Sequence, residues 1–341
     1  MSIYDIVAER IIGRIETAEK SGEKFYWVKP FAHGAVSYPC CYETGEPYKG
    51  INRVLLEPDE FTTYAKIQQH NERHPNEPLF IRKGSKTSIA VYFGHQVAVD
   101  KNGEVQTDEK GNPIKKPFVR YYNLFSRQDI VDKKGKNVPS KFPVKHYDHN
   151  TMSGLSQDEF LKFCSMVNKY CEAKGIEIQI INDGTECYYS PDENVVRVPV
   201  LSSFESVYEH CSAVAHELCH STSKELDRFH KVPKNIEAYS KEELIAEIGA
   251  EMLLSNFKIE DDRTNKENDI AYLNSWAKHL KDKPKELIFA AQKAQKAVEL
   301  ITKYLEKEPS LDDLLLSLKF KGDDTSNINK YDFEGIIDDE R

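Results

Sequence analysis

Five residues, His216-Glu217-Leu218-Cys219-His220, restrict the possible folds of this chain more than any other segment. On a helix, two histidines four apart lie on one face about one turn apart, so both imidazoles reach one zinc ion or another divalent metal. Glu217 is turned around the helix and addresses the metal's water instead of the metal. From there it can act as general base and then hand the proton to a leaving amine. Val214, Ala215 and Leu218 supply the apolar setting of a buried helix. The H-E-x-x-H pattern arises by chance in a chain this long on the order of a few per cent of the time.

A catalytic metal of this type takes three protein ligands and a water. The segment Glu242–Leu254 (EELIAEIGAEMLL) offers the third, 23 residues after His220. At helical spacing Glu243, Glu247 and Glu251 share one face, opposite Leu244, Ile245, Ile248 and Met252. The expected ligand is Glu243, with Glu247 one turn on orienting a ligand histidine; Glu247 as the ligand is the alternative. Cys219 reads as core packing, and His210 and His230 as surface or structural residues. Tyr239, near the carboxylate helix, is the candidate to stabilise an oxyanion. Asn194–Val200 reads either as an edge strand that could pair with an extended peptide or as a central strand.

At 341 residues the length suggests two domains. The net charge of −9 is unevenly spread: residues 1–150 carry 23 Lys/Arg against 19 Asp/Glu, residues 151–341 carry 24 against 37. Total charge therefore does not exclude a nucleic-acid partner for the first half. Seven cysteines without a C-x-x-C pair read as free thiols. The N-terminus lacks the pattern of a signal peptide and no apolar run is long enough for a membrane span, so a cytoplasmic protein is expected.

Ile3, Val7, Ile11, Ile12 and Ile15 recur as in an amphipathic helix, and Ser88–Phe93 and Val119–Phe125 read as strands around a long exposed hairpin or loop, 95–117. Residues 132–154 form the expected linker. A helix from Gln157 to about Lys174, strands at Ile176–Ile181 and Val195–Val200, and a metal-site helix capped by Ser203 follow. Two further helices are expected around 240–256 and 267–305, the second broken near Pro284. The tail from Glu306, with 11 acidic and 5 basic residues, is expected to dock loosely. The fold class is α+β: an N-terminal α+β domain (1–131), a linker (132–154), a helix-rich domain (155–305) and an acidic tail (306–341).

Several segments recur in order in a known family. YDIVAERII, FYWVKPF, TGEPYKGIN, IRKGSKTSIAVYF and VRYYNLFSRQDI resemble the N-terminal domain of the ArdC antirestriction family; NVVRVPVLSSFES, HELCHSTSKELDR, YSKEELIAEIGAEML and YLNSWAKHLKDKPKELIFAAQKAQKAVELI resemble its zincin-like metallopeptidase domain. Ser223 stands where that family often has glycine. The resemblance spans about residues 1–305. It implies a protein of a conjugative plasmid or other mobile element, with an N-terminal domain that binds single-stranded DNA and a metal-bearing second domain acting together to shield incoming DNA from host restriction. It also supports Glu243 as ligand.

Single strands bind through aromatic platforms and cations that follow phosphates. The residues expected to do so are Trp27, Lys29, Tyr48, Lys49, Asn52, Arg82, Lys83, Lys86, Arg120 and Tyr122. Two alternatives differ in chemistry: a DNA-shielding protein whose metal is purely structural, or a protease acting on a peptide or protein substrate and recruited to nucleoprotein.

Overall fold

The computed structural model describes residues 2–28, 38–101, 103–108, 110–142, 157–182, 186–229, 236–257, 259, 270–305 and 310–322. The first helix, α1 (Ile3–Ser21), opens on a capping box between Ser2 and Asp5 and stops at Gly22, whose φ of 71° is left-handed. Short elements follow: β1 (Cys40–Cys41), α2 (Ile51–Leu55), β2 (Glu60–Thr62), α3 (Tyr64–Arg73) and β3 (Phe80–Ile81). Two long antiparallel strands, β4 (Ser88–Val97) and β5 (Lys115–Ser126), then complete a four-stranded sheet in the order β1-β2-β5-β4. The expected exposed hairpin is thus partly strand, pairing Ser88 with Leu124 through Val97 with Lys115.

β6 (Ile130–Val131) pairs with β3. The chain then turns back rather than departing as a linker. Val138 donates to the Ile130 carbonyl and is buried with Tyr42, Ile67 and Ile130. The buried carboxylate of Glu60 accepts the backbone N–H groups of Lys141 and Phe142, both at 2.8 Å. The first half of the expected linker therefore belongs to the N-terminal fold, and residues 143–156 lie outside the described ones.

The second region comprises α4 (Gln157–Lys174), the strands β7 (Glu177–Ile181), β8 (Tyr188–Ser190) and β9 (Val195–Pro199), and helices α5 (Val207–Ser221), α6 (Ile236–Asn256), α7 (Ile270–Asp282), α8 (Pro284–Thr302) and α9 (Leu311–Lys321). The sheet order is β7-β9-β8. Of the two readings of residues 194–200, the central strand holds: β9 lies between β7 and β8. Helix α5 is capped by Ser206, not Ser203, because residues 201–203 form a separate 3-10 turn. The break at Pro284 is as expected, with proline in the first turn of α8.

One buried core runs through both regions. The face of α1 formed by Val7, Ala8, Ile11, Ile15 and Ala18 joins Trp27, Ile51 and Val54 in a cluster with Leu218, Ile248, Trp276 and Ala291. Trp27 and Trp276 meet edge to face at 5.7 Å. Burying a large apolar side chain stabilises by about 1.5–3 kcal/mol, so the two regions are held by much of the same hydrophobic free energy. Buried Arg53 crosses the boundary too, donating to the Met252 carbonyl at 3.0 Å and to the Ser255 hydroxyl. The loose tail does not hold for residues 310–322: Leu314, Leu316 and Phe320 of α9 are buried, and Asp313 bonds Asn168 of α4.

Candidate metal centre

Helix α5 seats Tyr208, Cys211, Val214, Ala215, Leu218 and Cys219 in the core. That choice of buried face leaves His216 and His220 on the side turned toward α6. Their rings stand 4.7 Å apart, and their Nε2 atoms are 3.0 Å from each other. Glu243 completes the cluster, with Oε2 3.4 Å from His216 Nε2 and Oε1 3.5 Å from His220 Nε2. Two ring nitrogens and a carboxylate within 4.8 Å of one another fit a divalent ion, and this is the sole such group found among the described residues.

The close approach of α5 and α6 has a specific cause. A Cβ on Gly249 would lie 2.6 Å from Cys219 Sγ, so glycine is what allows the two helices to meet there. Cys219 is fully buried, in keeping with a packing role.

Glu217 points the other way. Its Oε2 accepts the Tyr189 backbone N–H of β8 at 2.8 Å. Burial raises its pKa, against the opposing fields of His216 and His220. Glu217 lines a cleft of about 260 Å³ with both histidines, Glu243, Cys187, Phe229 and Tyr239. Tyr239 is half exposed, and burial followed by the Glu243 charge raises its phenol pKa. Burial and the nearby Glu217 push the Cys187 thiol well up, so it stays protonated. His216 is held above its ordinary range: burial opposes the charge, but the bond to Glu243 and the fields of the neighbouring glutamates outweigh it.

The row of carboxylates on α6 does not converge on the site as expected. Glu247 accepts the indole N–H of Trp27 at 3.0 Å, and Glu251 accepts the backbone N–H of Val28. A helix rises 1.5 Å per residue, so this row outruns a site one turn wide and meets the N-terminal segment instead. The group at the histidine is Glu242, whose Oε1 lies 3.3 Å from His220 Nδ1. Arg228 holds Glu242 with two bonds, at 3.0 and 2.8 Å, and also reaches Thr222 Oγ1 and the Cys219 carbonyl. The only textual signals for this pair were the doubled glutamate of Glu242-Glu243 and an arginine eight residues beyond His220.

Residues 166–293 match the zincin-like metallopeptidase family, and residues 1–125 match the N-terminal domain of anti-restriction factor ArdC. The chain carries an ArdC-like N-terminal domain and a zincin-like metallopeptidase domain. The metal-free crystal structure of antirestriction ArdC protein from plasmid R388 shares its fold, with a TM-score of 0.63 and 26% identity over 89% of this chain and 98% of that one. The Mn(II)-bound crystal structure gives 0.60 and 25% over 90% and 99%. Two DNA primases TraC from Escherichia coli are 25% identical over 323 and 324 residues, 89% of this chain in each case. The chain spans only 20% and 27% of their lengths.

In the ArdC-like N-terminal region the expected DNA residues divide. Trp27 is 2% exposed and spends its N–H on Glu247, so it is a core residue and not a stacking platform. Asn52 is occupied by both backbone groups of Val91, at 2.9 and 2.6 Å. Tyr48 packs on Phe61, and Lys49 pairs with Glu299 at 2.8 Å. Arg82 bonds Asn137, whereas Lys83 and Lys86 are exposed. Arg120 and Tyr122 are exposed on β5. Lys29 lies outside the described residues. No helix of the described residues is long and apolar enough to cross a membrane.

Proposed function

We propose that this ArdC-like protein binds single-stranded DNA through its N-terminal region and carries a peptide-hydrolysing metal centre, together protecting the DNA of a mobile element from restriction. His216, His220 and Glu243 would hold the ion, zinc or another divalent metal. The observation that carries the reading is their convergence beside Glu217. Among the described residues the donor set numbers three, the set of a catalytic metal that also takes a water, rather than the four of a closed structural site. That favours chemistry over a purely structural metal.

A bound divalent ion supplies Lewis acidity for polarising a peptide carbonyl. The remaining roles fall to the chain. Tyr189 N–H fixes one oxygen of Glu217, leaving the other to take a proton from an attacking water and return it to the leaving amine as the C–N bond breaks. Tyr239, on the Glu243 side of the cleft, can donate its hydroxyl to the developing oxyanion. Glu242 and Arg228 hold the His220 ring in place.

The test is Glu217→Gln beside His216→Ala. The first should keep one equivalent of metal and full single-strand affinity while losing peptide hydrolysis and protection against restriction; the second should lose the metal. Full protection by Glu217→Gln would separate hydrolysis from the antirestriction role and overturn the proposal.

A further inference from the structure

The outer half of the β4–β5 pair carries a surface that the core does not use. Strand register places Ala90, Tyr92, Gly94 and Gln96 on one face, opposite Tyr122, Arg120, Phe118 and Lys116. At the inner end this face is covered, with Ala90 and Leu124 buried against Leu56 and Phe61. Further out it opens. Tyr92 is 51% and Tyr122 48% exposed. Tyr92 lies 6.0 Å from the Phe118 ring and 6.3 Å from the Tyr122 ring, and the Arg120 guanidinium sits over Phe118 at 4.8 Å.

Gly94 explains why the rings lie as they do. A Cβ there would stand 2.5 Å from Phe118 and 2.8 Å from Tyr92, so both rings occupy the space a side chain would fill. Two aromatic rings close over a strand glycine, and Tyr122 continues the row beside Tyr92. Lys116 on the same face and Lys115 beside it are exposed.

We infer that Phe118 and Tyr92, closing over Gly94, and Tyr122 beside them, flanked by Arg120 and Lys116, form a base-stacking platform for single-stranded DNA. The inference rests on the single-strand binding proposed above and assigns it a place. Flat rings fit base faces, and base faces are accessible only when the strands are apart. Residues two apart on a strand are about 6.6 Å apart, a spacing that an extended, unstacked strand can follow. Arginine and lysine beside the rings match the phosphates in charge. Trp27, buried against the metal domain, takes no part.

Fluorescence anisotropy with a labelled oligo-dT tests this on the full chain. Tyr92→Ala and Phe118→Ala should each weaken binding at least about fivefold with little change in its salt dependence. Arg120→Ala should lower the salt slope by about one. Gly94→Val keeps every ring but displaces two of them, and should weaken binding as the alanine variants do. Tyr121→Ala, on the opposite face, should bind like wild type. Unchanged metal content and thermal midpoint establish that each variant is folded.

If the wild-type chain binds no single strand, the proposed DNA function falls and this inference with it. If it binds and the Tyr92, Phe118 and Gly94 variants stay within twofold, the platform alone is overturned. Equal loss of duplex binding, or displacement by polyglutamate as effective as by unlabelled DNA, would also overturn it, showing a non-specific or peptide-binding surface.

Discussion

The indole N–H of Trp27 donates to Glu247 Oε2 at 3.0 Å, one helical turn beyond the carboxylate that faces the paired histidines. One helix therefore serves two neighbours: Glu243 turns to the candidate metal centre, Glu247 to the N-terminal region. Four residues along, Glu251 takes the Val28 N–H, and Met252 and Ser255 receive Arg53. The helix that carries Glu243 is thus braced by the N-terminal half of the chain.

Trp27→Phe keeps most of the buried ring and removes the donor to Glu247. It should cost about 1–3 kcal/mol in urea unfolding, and Trp27→Ala about 3–5 kcal/mol. Single-strand affinity of the folded fraction should be unchanged. A selective loss of DNA binding at full stability would restore Trp27 as a contact residue.

Arg228 and Glu242 act on the site through His220. Glu242→Gln should weaken metal affinity about 10–100-fold, measured by competition with a chelator, while the fold survives. Arg228→Met leaves a buried carboxylate without its partner and should destabilise by about 3–5 kcal/mol. Wild-type metal affinity in Glu242→Gln would remove Glu242 from the positioning role.

The contact of α5 with α6 predicts coupling between Gly249 and Cys219. Gly249→Ala gains about 1 kcal/mol of helix propensity but drives its methyl into Cys219 Sγ, a strain of about 1–3 kcal/mol. It should be neutral to destabilising alone, and clearly stabilising in a Cys219→Ala background. Additive effects across the double-mutant cycle would show that the two helices move apart at no cost.

Burial raises Glu251 to about 8, so the folded state binds its proton more tightly than the unfolded state does. Stability from this group is complete below the unfolded carboxyl pKa and is lost as pH rises toward 8, at most about 1.4 kcal/mol per pH unit. Glu251→Gln keeps a carbonyl acceptor for Val28 N–H and cannot ionise. Its unfolding free energy should vary less between pH 5 and 8 than that of wild type. Parallel pH profiles would refute the buried, protonated state.

What the sequence alone determined is local. H-E-x-x-H requires only that residues four apart share a helical face, and the chain obeys, with Glu243 meeting both histidines from α6. The break at Pro284 and the paired cores of β4 and β5, 88–93 and 119–125, were likewise legible, because turn and strand chemistry act over a few residues. The tertiary structure decided which equivalent positions do what. Glu242, Glu243, Glu247 and Glu251 are alike as letters, and only the packing of α6 between α5 and the Trp27 segment gives them different partners. Trp27 and Tyr92 are both aromatic residues near basic ones. One is buried and the other exposed because burial depends on neighbours hundreds of residues away in sequence, such as Trp276, and periodicity carries no record of them.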